Sequence, residues 1–276
     1  MKKAAAALVV FVLALCPLTV VGCGNGTWTN TGGSIRSSSI NALAYDAKHD
    51  LLYAGTDSHG VLKYDGSKWT DTGGAVSSYK IGSLAYDSTQ NILYAGISQH
   101  GVWQYKGTKW TETGGGMPNL TIGSLAYDAN HNRLYASTDG PGVLKYDGTK
   151  WTDTGGGMSH ALDSLVYDSS HNLLYAVAIG NGVLKYDGAT WTDIDGGASS
   201  QYILSLAHDS KHDLLYAGTW KTFNTGYGVW MYDGSTWIDT GGGVSSHSIP
   251  CLIYDSSHNL LYAGTVGHGV WKYSAP

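Results

Sequence analysis

The 276-residue chain carries 16 basic and 21 acidic side chains, a formal charge of −5 at neutral pH, and is rich in Gly (39), Tyr (20) and Trp (10). With only two arginines, Arg36 and Arg133, and no Lys/Arg run to displace counterions from a phosphate backbone, the composition argues against nucleic-acid binding. Gly-rich turns between short aromatic and β-branched runs point to strands, in one large unit or two ordinary domains.

The first 22 residues read as targeting information. Lys2 and Lys3 form a positive start, and Ala4 to Leu15 form an apolar stretch too short for a comfortable membrane span. Val20-Val21-Gly22-Cys23 resembles the bacterial lipobox. That resemblance implies a signal peptide over residues 1–22, acylation of Cys23, and a short lipid-anchored tether over 23–26. Gly24 in place of Asp favours the outer membrane, so the expected location is the cell envelope. Loss of the leader changes the balance to 14 basic against 21 acidic side chains, or −7. Cys16 leaves with it and Cys251 then has no partner, so no disulfide is expected.

From residue 27 onward the chain is a tandem array. Trp28, Trp69, Trp110, Trp151, Trp191 and Trp237 recur at steps of 41, 41, 41, 40 and 46 residues. Each period holds four strand-length segments, exemplified by Ile81–Tyr86, Ile92–Gly96, Gly101–Tyr105 and Trp110–Thr113. The separators are turn chemistry. Asp65-Gly66, Asp147-Gly148, Asp187-Gly188 and Asp233-Gly234 mark the third hairpin, and runs such as Asp168-Ser-Ser-His-Asn172 mark the first. In the latter, Asp suits an Asx-turn and Asn a left-handed backbone. Four strands repeated six times predict an all-β six-bladed β-propeller over residues 27–276. The array begins with a fourth strand, Thr27–Thr31, and ends with a third, Gly269–Tyr273, so the two should pair and close the ring without open sheet edges.

Ile81-Gly-Ser-Leu-Ala-Tyr-Asp87, Leu93-Tyr-Ala-Gly96 and Gly101-Val-Trp-Gln-Tyr105 are similar to the repeats of bacterial two-component-regulator-type propellers, a likeness spanning residues 27 to 273. The resemblance implies fold more than activity. No kinase or DNA-binding segment follows, and WD40 and kelch signatures are missing.

In this topology the first strand of each blade lines the axis. Loops joining second to third strands, and blade to blade, share one face, here called the top. Trp28 lies in a fourth strand that starts at the bottom, separated from Cys23 only by Gly24 to Thr27, a stretch that reaches about 13 Å when extended, so the bottom rim is expected to face the membrane.

Positions identical in every blade serve packing, so candidates are sought where the copies differ. The fifth blade's top loop, Trp220-Lys-Thr-Phe-Asn-Thr-Gly-Tyr227, is five residues longer than its equivalents and holds Trp220, Lys221, Phe223 and Tyr227. An elongated aromatic loop suits a ligand contact, or a flap over the channel mouth. Blade-to-blade top loops place Tyr79, Leu120, His160, Gln201 and His247 at matching sites. His59, His100 and His268 occupy equivalent top loops. The Asp/His turns, such as Asp168 with His171 and Asp255 with His258, read as turn construction, because hairpin tips on adjacent blades should splay apart. No metal site or cofactor is therefore expected.

Catalytic chemistry finds little to work with. Two arginines cannot build a sialidase-type clamp, Glu112 is the sole glutamate, and Asp163 is a lone acid at an axis position where other blades carry Asn41, Gly82, Gly123, Leu204 or Pro250. The reading is a non-catalytic, monomeric binding module with an envelope protein or a glycan as partner. A structural scaffold in an envelope complex is the second reading, and a propeller-type hydrolase the third.

Overall fold

A computed structural model describes residues 27–31, 35, 38–114, 117, 120–140, 142–155, 162–178, 182–194, 202–220, 228–232, 234, 236–242 and 244–274. The expected signal peptide, Cys23, and the candidates His160, Gln201, Lys221, Phe223 and Tyr227 lie outside the described residues.

Six four-stranded antiparallel sheets form the blades, each running in chain order from the axis outward except the last. In blade six the order is Thr27–Asn30, Gly269–Ser274, Leu260–Thr265, Cys251–Asp255. The opening strand pairs with the closing one in the register Trp28↔Tyr273 and Asn30↔Trp271, and the Thr31 N–H donates to the Val270 carbonyl at 3.0 Å. The ring is closed as the repeat register requires.

Each blade is a radial sheet covered on both faces by its neighbours. Second strands such as Ile92–Ile97 are therefore buried along their whole length, rather than alternating apolar and polar. The seams are close. A Cβ built on Gly55 would stand 2.6 Å from Ile81 Cγ2 of the next blade, and one on Gly96 would meet Ile122 Cγ2 at the same distance. In these two blades glycine in the second strand is what lets the first isoleucine of the following blade seat so close; Ser137 and Val177 stand at the equivalent place in blades three and four. Three of the four serines at the matching first-strand position tie the same seams. Ser124 Oγ accepts from the Leu165 N–H at 2.8 Å, Ser164 Oγ accepts from the Leu206 N–H at 3.0 Å, and Ser205 Oγ donates to the Ile249 carbonyl at 3.0 Å. Cys251 takes the serine position in blade six, fully buried and 3.5 Å from the Ile40 carbonyl, and burial pushes its thiol pKa far up. It is a packing residue rather than a nucleophile.

The six repeated tryptophans belong to the scaffold. Each lies against the tyrosine opposite it on the third strand, with ring centroids 4.9–5.3 Å apart. Trp69 and Trp110 also donate Nε1–H to Thr31 and Thr72 of the preceding blade, both at 3.3 Å. Burial of rings this large contributes roughly 2–3 kcal/mol apiece.

The turns form as their composition predicts. Asp50, Asn91, Asn132, Asn172, Asp213 and Asn259 all adopt left-handed backbone, with φ between 53° and 58°. Asp46 Oδ1 accepts from the Lys48 and His49 N–H groups at 3.0 and 3.2 Å, which is the expected Asx-turn.

Candidate functional site

The top rim, the axial channel and the bottom seams all carry departures from six-fold repetition. On the top rim, Tyr202, Trp220 and Val266 are the large hydrophobic side chains left exposed among the described residues, at 67%, 49% and 44%. Tyr202 immediately precedes the first strand of blade five (Ile203–Asp209), Trp220 follows its second strand (Leu214–Thr219), and Val266 follows the second strand of blade six. Backbone bonds stitch these segments together: Trp220 N–H to the Tyr202 carbonyl at 2.7 Å, Ile249 N–H to the Thr219 carbonyl at 3.0 Å, and Val266 N–H to the Ser248 carbonyl at 3.4 Å. Trp220 was singled out by loop length. Tyr202 and Val266 were not, although the signal existed for the first: equivalents of Tyr202 in the other blades are Ser39, Lys80, Thr121, Ala161 and Ser248, all small or polar.

The remaining described candidates pack locally. Tyr79 stacks on His100 at 4.5 Å between centroids, and His247 on His268 at 4.3 Å, with Trp271 beside His247 at 5.8 Å. In both cases the blade-to-blade loop residue covers the second-to-third-strand loop of its own blade. His59, His100 and His268 do not gather into a ligand group among the described residues; His59 Nδ1 lies 3.1 Å from Ser58 Oγ, and His100 Nδ1 lies 2.9 Å from the Ser98 carbonyl.

The channel is a cavity of about 280 Å³ lined by all six first strands. Its variable position is a β-bulge in five blades: the register shifts between Ile40 and Ala42, Ile81 and Ser83, Ile122 and Ser124, Leu162 and Ser164, and Ile203 and Ser205. Asn41, Gly82, Gly123, Asp163 and Leu204 are thus the bulged residues. Pro250 stands there in blade six, where it has no N–H to give a ladder and the strand begins at Cys251. Asn41 Nδ2 donates to Asp57 Oδ1 at 2.8 Å and lies 3.3 Å from the Ile81 carbonyl across the seam. Glu112 ends an outermost strand, Trp110–Glu112, away from this channel.

At the channel's bottom end stand Tyr45, Tyr86, Tyr127, Tyr167, His208 and Tyr254, one from each blade. The carboxylate that ends the preceding blade's first strand lies beside each and is buried to within 1%. Tyr86 donates its hydroxyl to Asp46 Oδ2 at 2.6 Å. Burial, reinforced by these carboxylates, raises the phenol pKa around the ring, to about 12 at Tyr127 beside Asp87. In blade five the tyrosine is replaced by His208, 5% exposed, whose Nδ1 lies 3.6 Å from Asp168 Oδ1 and whose Nε2 lies 3.3 Å from Asp213 Oδ1.

The expectation that adjacent hairpin tips splay apart is overturned. First-to-second-strand turns of neighbouring blades touch: Asn130 Nδ2 donates to Asn172 Oδ1 at 2.8 Å, Gln90 Nε2 to Asn132 Oδ1 at 3.0 Å, and Tyr45 Oη lies 3.2 Å from His258 Nδ1. The Asp of each turn is buried between blades and pulls the next turn in. His residues three positions on pair with it in five turns: Asp46–His49, Asp128–His131, Asp168–His171, Asp209–His212 and Asp255–His258, at 2.6–2.8 Å. Among the described residues, none forms a helix long and apolar enough to cross a membrane.

No protein-family model matches this chain, and no curated protein matches it by sequence. Solved structures match by shape. A protein of unknown function from Bacteroides thetaiotaomicron shares 15% identity at TM-score 0.71, over 91% of this chain and 76% of its own. A gluconolactonase from Xanthomonas campestris shares 12% identity at TM-score 0.70, over 92% and 91% of the two chains. The extracellular domain of a putative hybrid two-component system from B. thetaiotaomicron shares 16% identity at TM-score 0.58, over 90% of this chain but 39% of that one. At these identities the likeness shows the propeller fold alone.

Proposed function

We propose that this chain is a non-catalytic recognition propeller, exported and tethered to the bacterial envelope through Cys23, that takes its partner on the top rims of blades five and six. The observation carrying this reading is the placement of Tyr202, Trp220 and Val266: every other large apolar side chain described is at least partly covered, and these three share one sector of one face. Tyr and Trp carry a large contact area on two rotatable side-chain bonds and so lose little freedom on binding, which suits them to packing against a polypeptide or stacking on a sugar face. The rigid closed ring supplies a fixed platform. The loop joining second to third strand on that rim is lengthened only in blade five, where Lys221, Phe223 and Tyr227 extend the same loop in sequence. The placement of the sole glutamate on an outer strand, away from the channel, favours binding over hydrolysis.

The test uses the full chain as bait on a glycan array and against cross-linked envelope proteins. A captured partner should be lost at least tenfold by Tyr202→Ser with Trp220→Ala, and kept by Tyr79→Ser on blade two. Retention of all capture by the double variant, or equal loss from Tyr79→Ser, would place binding elsewhere. Failure of a multiprotein complex to assemble, with no single partner lost, would favour the scaffold reading.

A further inference from the structure

Two of the six bottom seams share an exchange that the other four lack. At the left-handed position that closes the first hairpin, blades two, three, four and six carry Asn91, Asn132, Asn172 and Asn259, whereas blades one and five carry Asp50 and Asp213. The backbone is the same in all six, so the turn itself does not ask for a carboxylate. Each of these two aspartates faces the Asp–His pair of the preceding blade. His171 Nδ1 lies 2.7 Å from Asp168 Oδ2 and 3.7 Å from Asp213 Oδ1. His258 Nδ1 lies 2.8 Å from Asp255 Oδ2 and 3.8 Å from Asp50 Oδ1. The two groups agree to 0.1 Å in both separations, and in each the three donor atoms lie within 4.8 Å of one another. Among the described residues no third group of this kind occurs.

We propose that these seams are two equivalent binding sites for a borderline divalent cation of the zinc class, formed by Asp168, His171 and Asp213 between blades four and five, and by Asp255, His258 and Asp50 between blades six and one. Ligand bonds of about 2.1 Å at tetrahedral angles separate neighbouring donors by about 3.4 Å, so the histidine's separations of 2.7–2.8 and 3.7–3.8 Å from its two carboxylates need to change by about 0.7 Å at most. One imidazole with two carboxylates suits zinc better than calcium or magnesium, which prefer six or more oxygens. Three protein donors with a fourth position open to solvent is a familiar zinc arrangement. Access exists: the imidazoles are about half exposed, at 53% and 51%, while Asp168 and Asp255 are fully buried anchors. The added aspartate is oriented in both sites by its own blade's member of the ring at the channel's bottom end. His208 Nε2 lies 3.3 Å from Asp213 Oδ1, and Tyr45 donates its hydroxyl to Asp50 Oδ1 at 2.7 Å. A cation bound here ties the turns of adjacent blades together, across the 6/1 seam next to the strand that closes the ring.

The test is isothermal titration of the full chain with zinc chloride, followed by thermal melting. Two zinc ions per chain are expected, with calcium and magnesium failing to compete. Asp213→Asn and Asp50→Asn, which copy residues the other blades already use and so preserve the fold, should each remove one ion; the double variant should remove both and abolish the zinc-dependent rise in Tm. Asn172→Asp, placing a carboxylate opposite Asp128 and His131, should add a third. Uptake unchanged in the double variant would assign zinc to surface histidines such as His59 and overturn the proposal. So would the absence of uptake at 0.1 mM zinc, or an Asn172→Asp chain that still takes two.

Discussion

Removing the Tyr86 hydroxyl tests whether the ring of phenols and buried carboxylates holds the blades in register. Asp46 is 1% exposed, and its Oδ2 receives Tyr86 from the next blade at 2.6 Å and His49 Nδ1 at 2.6 Å, while its Oδ1 receives two backbone N–H groups. A hydrogen bond to a charged acceptor contributes roughly 1.5–3 kcal/mol. Three donors remain after Tyr86→Phe, so the carboxylate is not orphaned, and the low end applies: about 1.5–2 kcal/mol. For a chain of this size, 1 kcal/mol moves Tm by roughly 2–4 °C, giving an expected fall of roughly 3–8 °C. The control is Tyr64→Phe, whose hydroxyl donates to the Gly66 carbonyl at 2.8 Å in an exposed turn and should change stability by about 0.5 kcal/mol. Urea unfolding of both variants, with Asp46→Asn and the double variant completing a cycle, gives the pairwise coupling. A coupling below about 0.5 kcal/mol, or a Tyr86→Phe loss no larger than that of Tyr64→Phe, refutes the claim that this bond joins blade to blade.

Three further outcomes follow from the seams and the tyrosines. Trp110→Ala empties a buried site against Tyr105 and Thr72 and should cost about 3–5 kcal/mol by urea unfolding. Gly96→Val puts a Cβ 2.6 Å from Ile122 Cγ2 across a seam and should lower Tm without preventing folding, because Val177 already stands at the equivalent place in blade four, whereas Gly66→Ala, where no atom lies within 4 Å, suffers only from its φ of +87°. Burial raises the pKa of Tyr53, Tyr175 and Tyr262 to about 12, so these phenols stay neutral in the fold above the pH at which an unfolded chain ionises them. Stability is therefore complete below pH 10 and declines from pH 10 toward 12; absorbance at 295 nm should show tyrosinate appearing together with loss of β-structure, and independent titration of these tyrosines near pH 10 in a folded chain would contradict it.

Architecture was legible because repetition substitutes for an alignment. Trp28, Tyr273 and the spacing between them dictated both blade number and closure, and the turn aspartates and asparagines announced their own backbone. What lay hidden was contact between copies. Five of the six blades show an Asx-turn with a histidine, and nothing in one period reveals that Asp50 reaches His258, 208 positions further along the chain. The splayed geometry expected of hairpin tips failed because Asp46 and its equivalents are buried between blades, drawing the next blade's tyrosine and turn onto them. Likewise the seam role of Gly55 and Gly96 was invisible, since their constraint is the neighbour's isoleucine rather than their own backbone.

Repetition also gives the departures their weight. Where the six copies agree, as with the tryptophan–tyrosine pairs, the position serves the ring; buried seam positions vary in size to fit each neighbour, so the departures that need another cause are those that stand exposed or add a charge. Tyr202 and Trp220 break the pattern on the top of blade five, and His208 and Asp213 break it on the bottom of the same blade. The two faces are joined by one first strand, Ile203–Asp209, with the bulged Leu204 near its top and His208 at its foot. A propeller blade is a rigid sheet, so a cation that clamps the turn beside His208 to the Asp168 turn also fixes the angle at which Tyr202 and Trp220 stand on the rim. Partner affinity at the top should then rise with zinc in the native chain, and Asp213→Asn should cancel that gain while leaving zinc-free affinity unchanged; equal affinity with and without zinc would show that the two faces act separately.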